Sequence, residues 1–140
     1  MDRAFPYWIL AALGLLLATV NAFAVYYHLF FYVWWLDIPL HLLCGLWIGL
    51  LVLSYYYSPR FPEPKFRSDP AVLRTAVVAA LIVGLCWELF EFSTDKFIVI
   101  GAHDMQDTMN DLLNDIIGGV FAAEIFVTEG FNKLKQINNP

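Results

Sequence analysis

Basic residues are scarce in this chain, and Lys96 alone stands among the acidic groups at 37, 88–95 and 104–115. Eight Lys and Arg face thirteen Asp and Glu among 140 residues, for a formal net charge of -5. That balance argues against a nucleic-acid binder, which needs a clustered basic face for phosphate contacts. Cysteine is equally thin. Cys44 and Cys86 are the whole complement, and both fall inside apolar stretches away from oxidising solvent, so they read as small apolar fillers rather than as a disulfide. The chain also has no Gly-rich phosphate loop and no Gly-x-Ser-x-Gly elbow, which argues against P-loop nucleotide chemistry and the common serine-esterase chemistry.

Apolar surface is what the chain has in excess. Hydrophobic residues make up 60% and aromatics 17%, and the mean hydropathy is +0.62, well beyond a soluble domain of this size. A spanning helix needs about 20 mostly apolar residues. Four stretches qualify, at approximately 5–27, 36–57, 71–92 and 107–126. Short connections between them predict antiparallel neighbours, and hence an all-α, integral-membrane four-helix up-and-down bundle forming one domain over residues 1–140. Arg3 and the Ala22-Phe23-Ala24 triplet could imitate a cleaved secretory signal. The run between them is long enough to span, so it reads as a retained anchoring helix, with Thr19 and Asn21 hydrogen-bonded inside the bundle.

Orientation follows from Lys and Arg, which stay on the cytoplasmic side of short flanks. Arg3, Arg60, Lys65, Arg67, Arg74, Lys133 and Lys135 flank the termini and the second loop, while Lys96 alone falls on the other side. Both termini are therefore expected in the cytoplasm, with residues 26–36 and 93–106 on the periplasmic or extracellular side of a plasma or inner membrane. Aromatic belts agree, with Tyr26, Tyr27, Trp34 and Trp35 outside and Tyr7, Trp8 and Tyr55 to Tyr57 inside. The second loop, 58–70, carries Pro59, Pro62, Pro64 and Pro70 among charges and reads as an extended connector. Its basic residues could attract anionic headgroups, but they serve first as the topology signal.

Eight of the thirteen acidic residues gather at the outer end of this arrangement. Residues three, four and seven apart share a helix face. Asp37 and His41 are four apart; Glu88, Glu91 and Asp95 step by three and four; Asp104, Asp107, Asp111 and Asp115 continue one face to Gly118. Each stripe descends from the outer surface: at about 1.5 Å per residue, His41 lies about 6 Å below Asp37, Glu88 about 10 Å below Asp95 and Asp115 about 12 Å below Asp107. All three can point into the bundle at one depth.

An ionised carboxylate near the bilayer centre costs about 2.5–3.5 kcal/mol, so several together need compensation. His41 offsets one charge at most. Bound divalent metal, shared protons or a water-filled vestibule remain. Oxygen-rich ligands with one imidazole suit Mn, Fe, Zn, Mg or Ca, with Asp37, His41, Glu88, Asp107, Asp111 and Asp115 as metal ligands and Glu91 as general base. Structural readings compete at single positions: Asp37, Asp104 and Asp107 can cap helix starts, and His28 is an interfacial residue. Capping accounts poorly for Glu88 and Asp115. Glu124 and Glu129 lie towards the opposite end. Small faces at Gly45, Gly49, Gly118, Gly119 and Ala122 allow close helix approach.

The pattern Asp37-x3-His41-x3-Gly45, Trp87-Glu88 with Glu91, and Asp104-x2-Asp107-Thr108-x2-Asp111 ending at Gly118 resembles the bacterial YjdF-like inner-membrane proteins, and more loosely VanZ-like proteins, over approximately residues 37–119. That resemblance implies a small polytopic membrane protein with a polar site shared among helices. This chain departs from it in having four spans, a shorter length and the additional Asp115. The Asp107-x3-Asp111-x3-Asp115 step is also similar to the metal-binding aspartates of CDP-alcohol phosphotransferases, but their Gly and Arg context is missing. A His-based lipid phosphatase would need basic residues at the outer surface, where only Lys96 stands.

Three functions fit these residues. The first is metal-dependent hydrolysis of a lipid or envelope substrate reached from the bilayer. The second is a structural or accessory subunit working with partner membrane subunits or in a homo-oligomer. The third, cation or proton transport, is weakened because the inner halves of the spans contain no buried ionisable residues to continue a path.

Overall fold

The computed structural model describes residues 6–57, 69–98 and 105–138, with side chains described at 6–57, 70–93 and 105–128. The connector at 58–68, His103, Asp104 and the side chains of Asp95 and Lys96 lie outside the described residues. In chain order the elements are α1 (Tyr7–Tyr26), α2 (Leu29–Tyr32), a 3-10 turn (Trp34–Leu36), α3 (Asp37–Tyr56), α4 (Asp69–Ile98) and α5 (Met105–Asn138). No strand occurs among the described residues.

Among the described residues three segments are long and apolar enough to cross a membrane, namely Tyr7–Tyr26, Trp34–Tyr56 and Pro70–Ser93. The fourth expected span lies within α5, where Asp107, Asp111, Asp115 and Glu124 make the helix too acidic to qualify on hydropathy. Helices α4 and α5 also run past the expected limits of 92 and 126, because hydropathy marks only the apolar part of a helix. Local chemistry sets the turn between α1 and α3. His28 adopts a left-handed conformation, φ 54°, which a non-glycine residue rarely takes and which turns the chain out of the α1 axis. The 3-10 turn then leads directly into α3, where Pro39 falls in the first helical turn and its missing N–H forfeits no intrahelical bond.

Helices α3, α4 and α5 pack against one another, and the most extensive contact is between α3 and α5. Glycine explains it. A Cβ at Gly45 would overlap the Asp115 carbonyl, one at Gly118 would overlap the Leu42 carbonyl, and one at Gly49 would lie 2.5 Å from the Ala122 Cβ. From His41 beside Asp115, through Gly45 beside Gly118, to Gly49 beside Ala122 the numbers rise together, so α3 and α5 run parallel with their backbones in close approach. Helix α4 runs the other way, with Gly84 beside Asp115 and Gly119 beside Val77 and Ala80.

Helix α1 lies against α3. The Trp47 indole donates to the Leu10 carbonyl at 2.7 Å and the Tyr7 hydroxyl to the Ser54 carbonyl at 3.4 Å. Among the described residues α3, α4 and α5 pack most closely, with α1 joined to them chiefly through α3. Small residues on α3 and α5 let a pair that is not adjacent in sequence approach most closely. At the lower end, away from the start of α3, Leu10, Leu50, Leu53, Val72, Ala76, Ala122 and Ala123 form the apolar core. Leu15, Leu16 and Phe23 on α1 and Ile82, Leu89 and Phe90 on α4 face outward, an apolar exterior of the kind that meets membrane.

Candidate functional site

The first turns of α3 and the upper half of α5 bring four of the expected site residues together. Asp37 and His41 stand one helical turn apart on α3, with Nε2 of His41 3.6 Å from Oδ1 of Asp37. On the other side of the ring, Nδ1 is 3.2 Å from Oδ2 of Asp115. Asp37, His41 and Asp111 each offer a ligand atom, and these atoms lie within 4.8 Å of one another. His41, Asp111 and Asp115 retain only 6%, 3% and 3% of their exposure. Buried polar groups at this depth have to satisfy one another.

The glycines that join the helices also build the site. Because Gly45 has no Cβ, the α5 backbone at Asp115 can approach α3, and because Gly84 has none, the Asp115 carboxylate has room beside α4. A methyl group at either position would fall on Asp115 itself.

Three further expected residues surround this centre at different depths. Glu88 on α4 is buried, with both carboxylate oxygens shielded from solvent. Glu91, one turn on, is half-buried and accepts a hydrogen bond from the Trp87 indole at 2.8 Å. Asp107 is exposed on the first turn of α5 and is not among the three residues whose ligand atoms converge. Electrostatically all of them belong to one group. Asp107 and Glu88 act on both Asp37 and Asp111, while Asp37, Glu88 and His41 act on Glu91. Among the described side chains the only Lys or Arg is Arg74, near the opposite end of α4, so His41 is the one basic group within the cluster.

Beside the cluster lies a cavity of about 270 Å³ between α1, α3 and α4, with Asp37, His41 and Asp115 in its wall. Helix α1 completes it with Gly14, Leu17, Ala18 and Asn21. Sequence reasoning assigned α1 to anchoring and Asn21 to packing, and so missed this wall. The signal available was the amide itself, a strongly polar group in an otherwise apolar span. Trp87 figures in the sequence pattern only as the neighbour of Glu88, although its four-residue spacing from Glu91 allows the observed hydrogen bond.

Two carboxylates and one imidazole can hold a divalent ion. At metal–ligand distances of about 2.0–2.2 Å, paired ligand atoms stand no more than about 4.4 Å apart, so the observed spacing needs only small side-chain adjustment. With Nδ1 engaged by Asp115, Nε2 is the nitrogen left for such a role, and a carboxylate behind a ligating imidazole is the usual means of orienting it. No curated protein and no solved structure matches the chain. A family described as predicted membrane protein, DUF2238, matches residues 1–129. The chain belongs to that family of membrane proteins.

Proposed function

We propose that this membrane protein binds a divalent cation through Asp37, His41 and Asp111 and uses the site to hydrolyse a lipid or envelope substrate. The carrying observation is the convergence of three ligand atoms from two helices within 4.8 Å, in a buried, carboxylate-rich setting. Asp115 serves as the carboxylate that orients His41, while Glu88 and Asp107 contribute negative charge around the ion. One imidazole among the oxygen donors favours Mn, Fe or Zn over Mg or Ca. When bound, the ion supplies Lewis acidity and activates water near neutral pH. Glu91, oriented by the Trp87 indole, is the general base of this reading, and burial of His41 and Asp111 keeps bulk water from competing.

The membrane arrangement belongs to the same proposal. Helix α5 crosses as a fourth span by turning its acidic stripe onto α3 and α4, both termini are cytoplasmic, and the site faces the outer side of an inner or plasma membrane. The distribution of Lys and Arg supports that orientation, and the motif spacing supports a YjdF-like relative. The test is elemental analysis of the full chain purified without chelator. Stoichiometric divalent metal in the parent, lost in Asp111→Asn and His41→Ala, is the expected result; a folded parent protein free of metal would remove the reading.

A structural reading has its own support. Asp37, His41 and Asp115 form a continuous carboxylate–imidazole–carboxylate chain that is complete if the imidazole is protonated, and it would lock α3 to α5 in an accessory subunit of a larger assembly. Under that reading chelator leaves thermal stability unchanged, and partner chains co-purify in fixed ratio. Metal loss should instead lower the melting temperature if the ion is resident.

A further inference from the structure

The cavity beside the carboxylates has a polar end and an apolar end. Asn21, Asp37 and His41 line its upper part, while Leu17, Ile48, Ala80 and Val83 line the lower walls. Small residues are frequent in its lining: Gly14 and Ala18 on α1, Gly45 on α3, Ala80 and Gly84 on α4. Among the described residues α1 packs on α3 and has no comparable contact with α4, which leaves the seam between α1 and α4 as the more loosely packed route to the cavity. The outward faces beside that opening are apolar, with Leu15 and Leu16 on one side and Ile82 on the other. In a bilayer the medium at such an opening is hydrocarbon.

Dimensions restrict the occupant. From Asp37 to Ile48 the α3 wall descends eleven residues, about 16 Å, which is about half of a ~30 Å hydrocarbon core. A cavity of about 270 Å³ falls just under the about 300–1,000 Å³ of typical small-molecule pockets, enough for one slender chain and too little for two. Charge restricts the head. The carboxylates of Asp37 and Asp115 face the cavity, and no described Lys or Arg lines it, so a phosphate there would be repelled and a group carrying N–H or O–H donors attracted. The Asn21 amide reaches the same space and has no hydrogen-bond partner among the described residues, which leaves it available to such a head.

We infer that this cavity seats one hydrocarbon chain of a bilayer lipid, admitted between α1 and α4, with a donor-bearing, non-anionic head at Asn21 and Asp37. This seat names the substrate class of the proposed function and rests on that reading for its catalytic meaning, but chain binding itself does not depend on the metal. The test uses the full chain in nanodiscs with two photoactivatable probes that share one sixteen-carbon chain carrying a diazirine, about the reach of a single leaflet; one has an ammonium head and the other a phosphate head. Both are compared in chelator.

Crosslinks are expected on the cavity-facing residues of α1 and α4, stronger for the ammonium probe. Ala18→Phe and Val83→Phe, which fill the hollow from opposite walls, should each cut labelling about tenfold while the metal content of chelator-free protein stays at the parent level. Asp111→Asn, whose side chain lies outside the cavity lining, should lose metal and keep labelling. Labelling spread evenly over Leu15, Leu16 and Ile82 and unaffected by either filled variant would overturn the seat even if metal is present. Equal labelling by both heads would overturn the head assignment. Helical circular dichroism and monodisperse elution identify variants that remain folded, and retained labelling in both such variants counts against the proposal.

Discussion

Replacing Asp115 by Asn separates an orienting carboxylate from a metal ligand. The substitution keeps the shape of the side chain, so it fits the space left by Gly84 and leaves the α3–α5 contact at Gly45 in place. What changes is the partner of His41. An Asn oxygen can still accept from Nδ1, now 3.2 Å from the Asp115 carboxylate, but it carries no charge to raise the basicity of the ring. Loss of such an outer carboxylate weakens metal binding about 10–100-fold, which corresponds to about 1.4–2.7 kcal/mol. Calorimetric titration of apo-protein in nanodiscs with Mn or Zn should therefore show Asp115→Asn binding one ion with reduced affinity, while Asp111→Asn shows no saturable binding. If Asp115→Asn also abolishes saturable binding, Asp115 is a direct ligand and the orienting role is wrong. Parent-like affinity would mean that the Asp115 charge has no bearing on the ion at all.

Gly84→Ala tests the same atom without removing any ionisable group: its methyl would fall on the Asp115 carboxylate, so metal affinity should drop as in Asp115→Asn while the helical spectrum is retained. Gly45→Ala meets backbone rather than side chain, and overpacking of this kind should destabilise by about 1–3 kcal/mol, seen as a lower unfolding midpoint in detergent; an unchanged midpoint would contradict the close α3–α5 approach. Trp47→Phe deletes the indole donor to Leu10 and should cost about 1 kcal/mol. Amide exchange should then rise in the lower half of α1 and remain at parent rates in α5.

Much of the fold was legible because it depends on local pattern. Runs of apolar residues marked four spans, three of which match helices long and apolar enough to cross a membrane, and four-residue spacing placed Asp37 with His41 and Asp111 with Asp115 on shared faces. The same spacing overstated the stripe on α5. At about 3.6 residues per turn, each four-residue step advances about 40° around the helix, so Asp107 is rotated about 80° from Asp115 and is exposed while Asp111 and Asp115 are buried. The parallel α3–α5 contact was not legible, because connectivity favours sequential neighbours and small residues are common in membrane helices generally. The cavity was less legible still. Its lining comes from α1, α3, α4 and α5, and no local pattern reports a space shared by helices from different parts of the chain.

The two halves of the site differ in how firmly they are held, and that difference suits a preorganised centre beside an adjustable seat. Asp111 and Asp115 are set relative to His41 by backbones meeting at Gly45 and Gly118, where even one methyl would not fit. Ligands fixed in this way lose little freedom when they converge on an ion. Asn21 is held differently. Its helix is joined to α3 by hydrogen bonds at Leu10 and Tyr7, both in the lower part of α1, while Ala18 and Asn21 border the cavity above them. Loosening α1 at that attachment would alter the wall bearing Ala18 and Asn21 without touching the contacts that hold His41, Asp111 and Asp115. Access for a chain and geometry at the carboxylates are thereby assigned to separate contacts, so Trp47→Phe should change chain labelling while leaving metal affinity at the parent value.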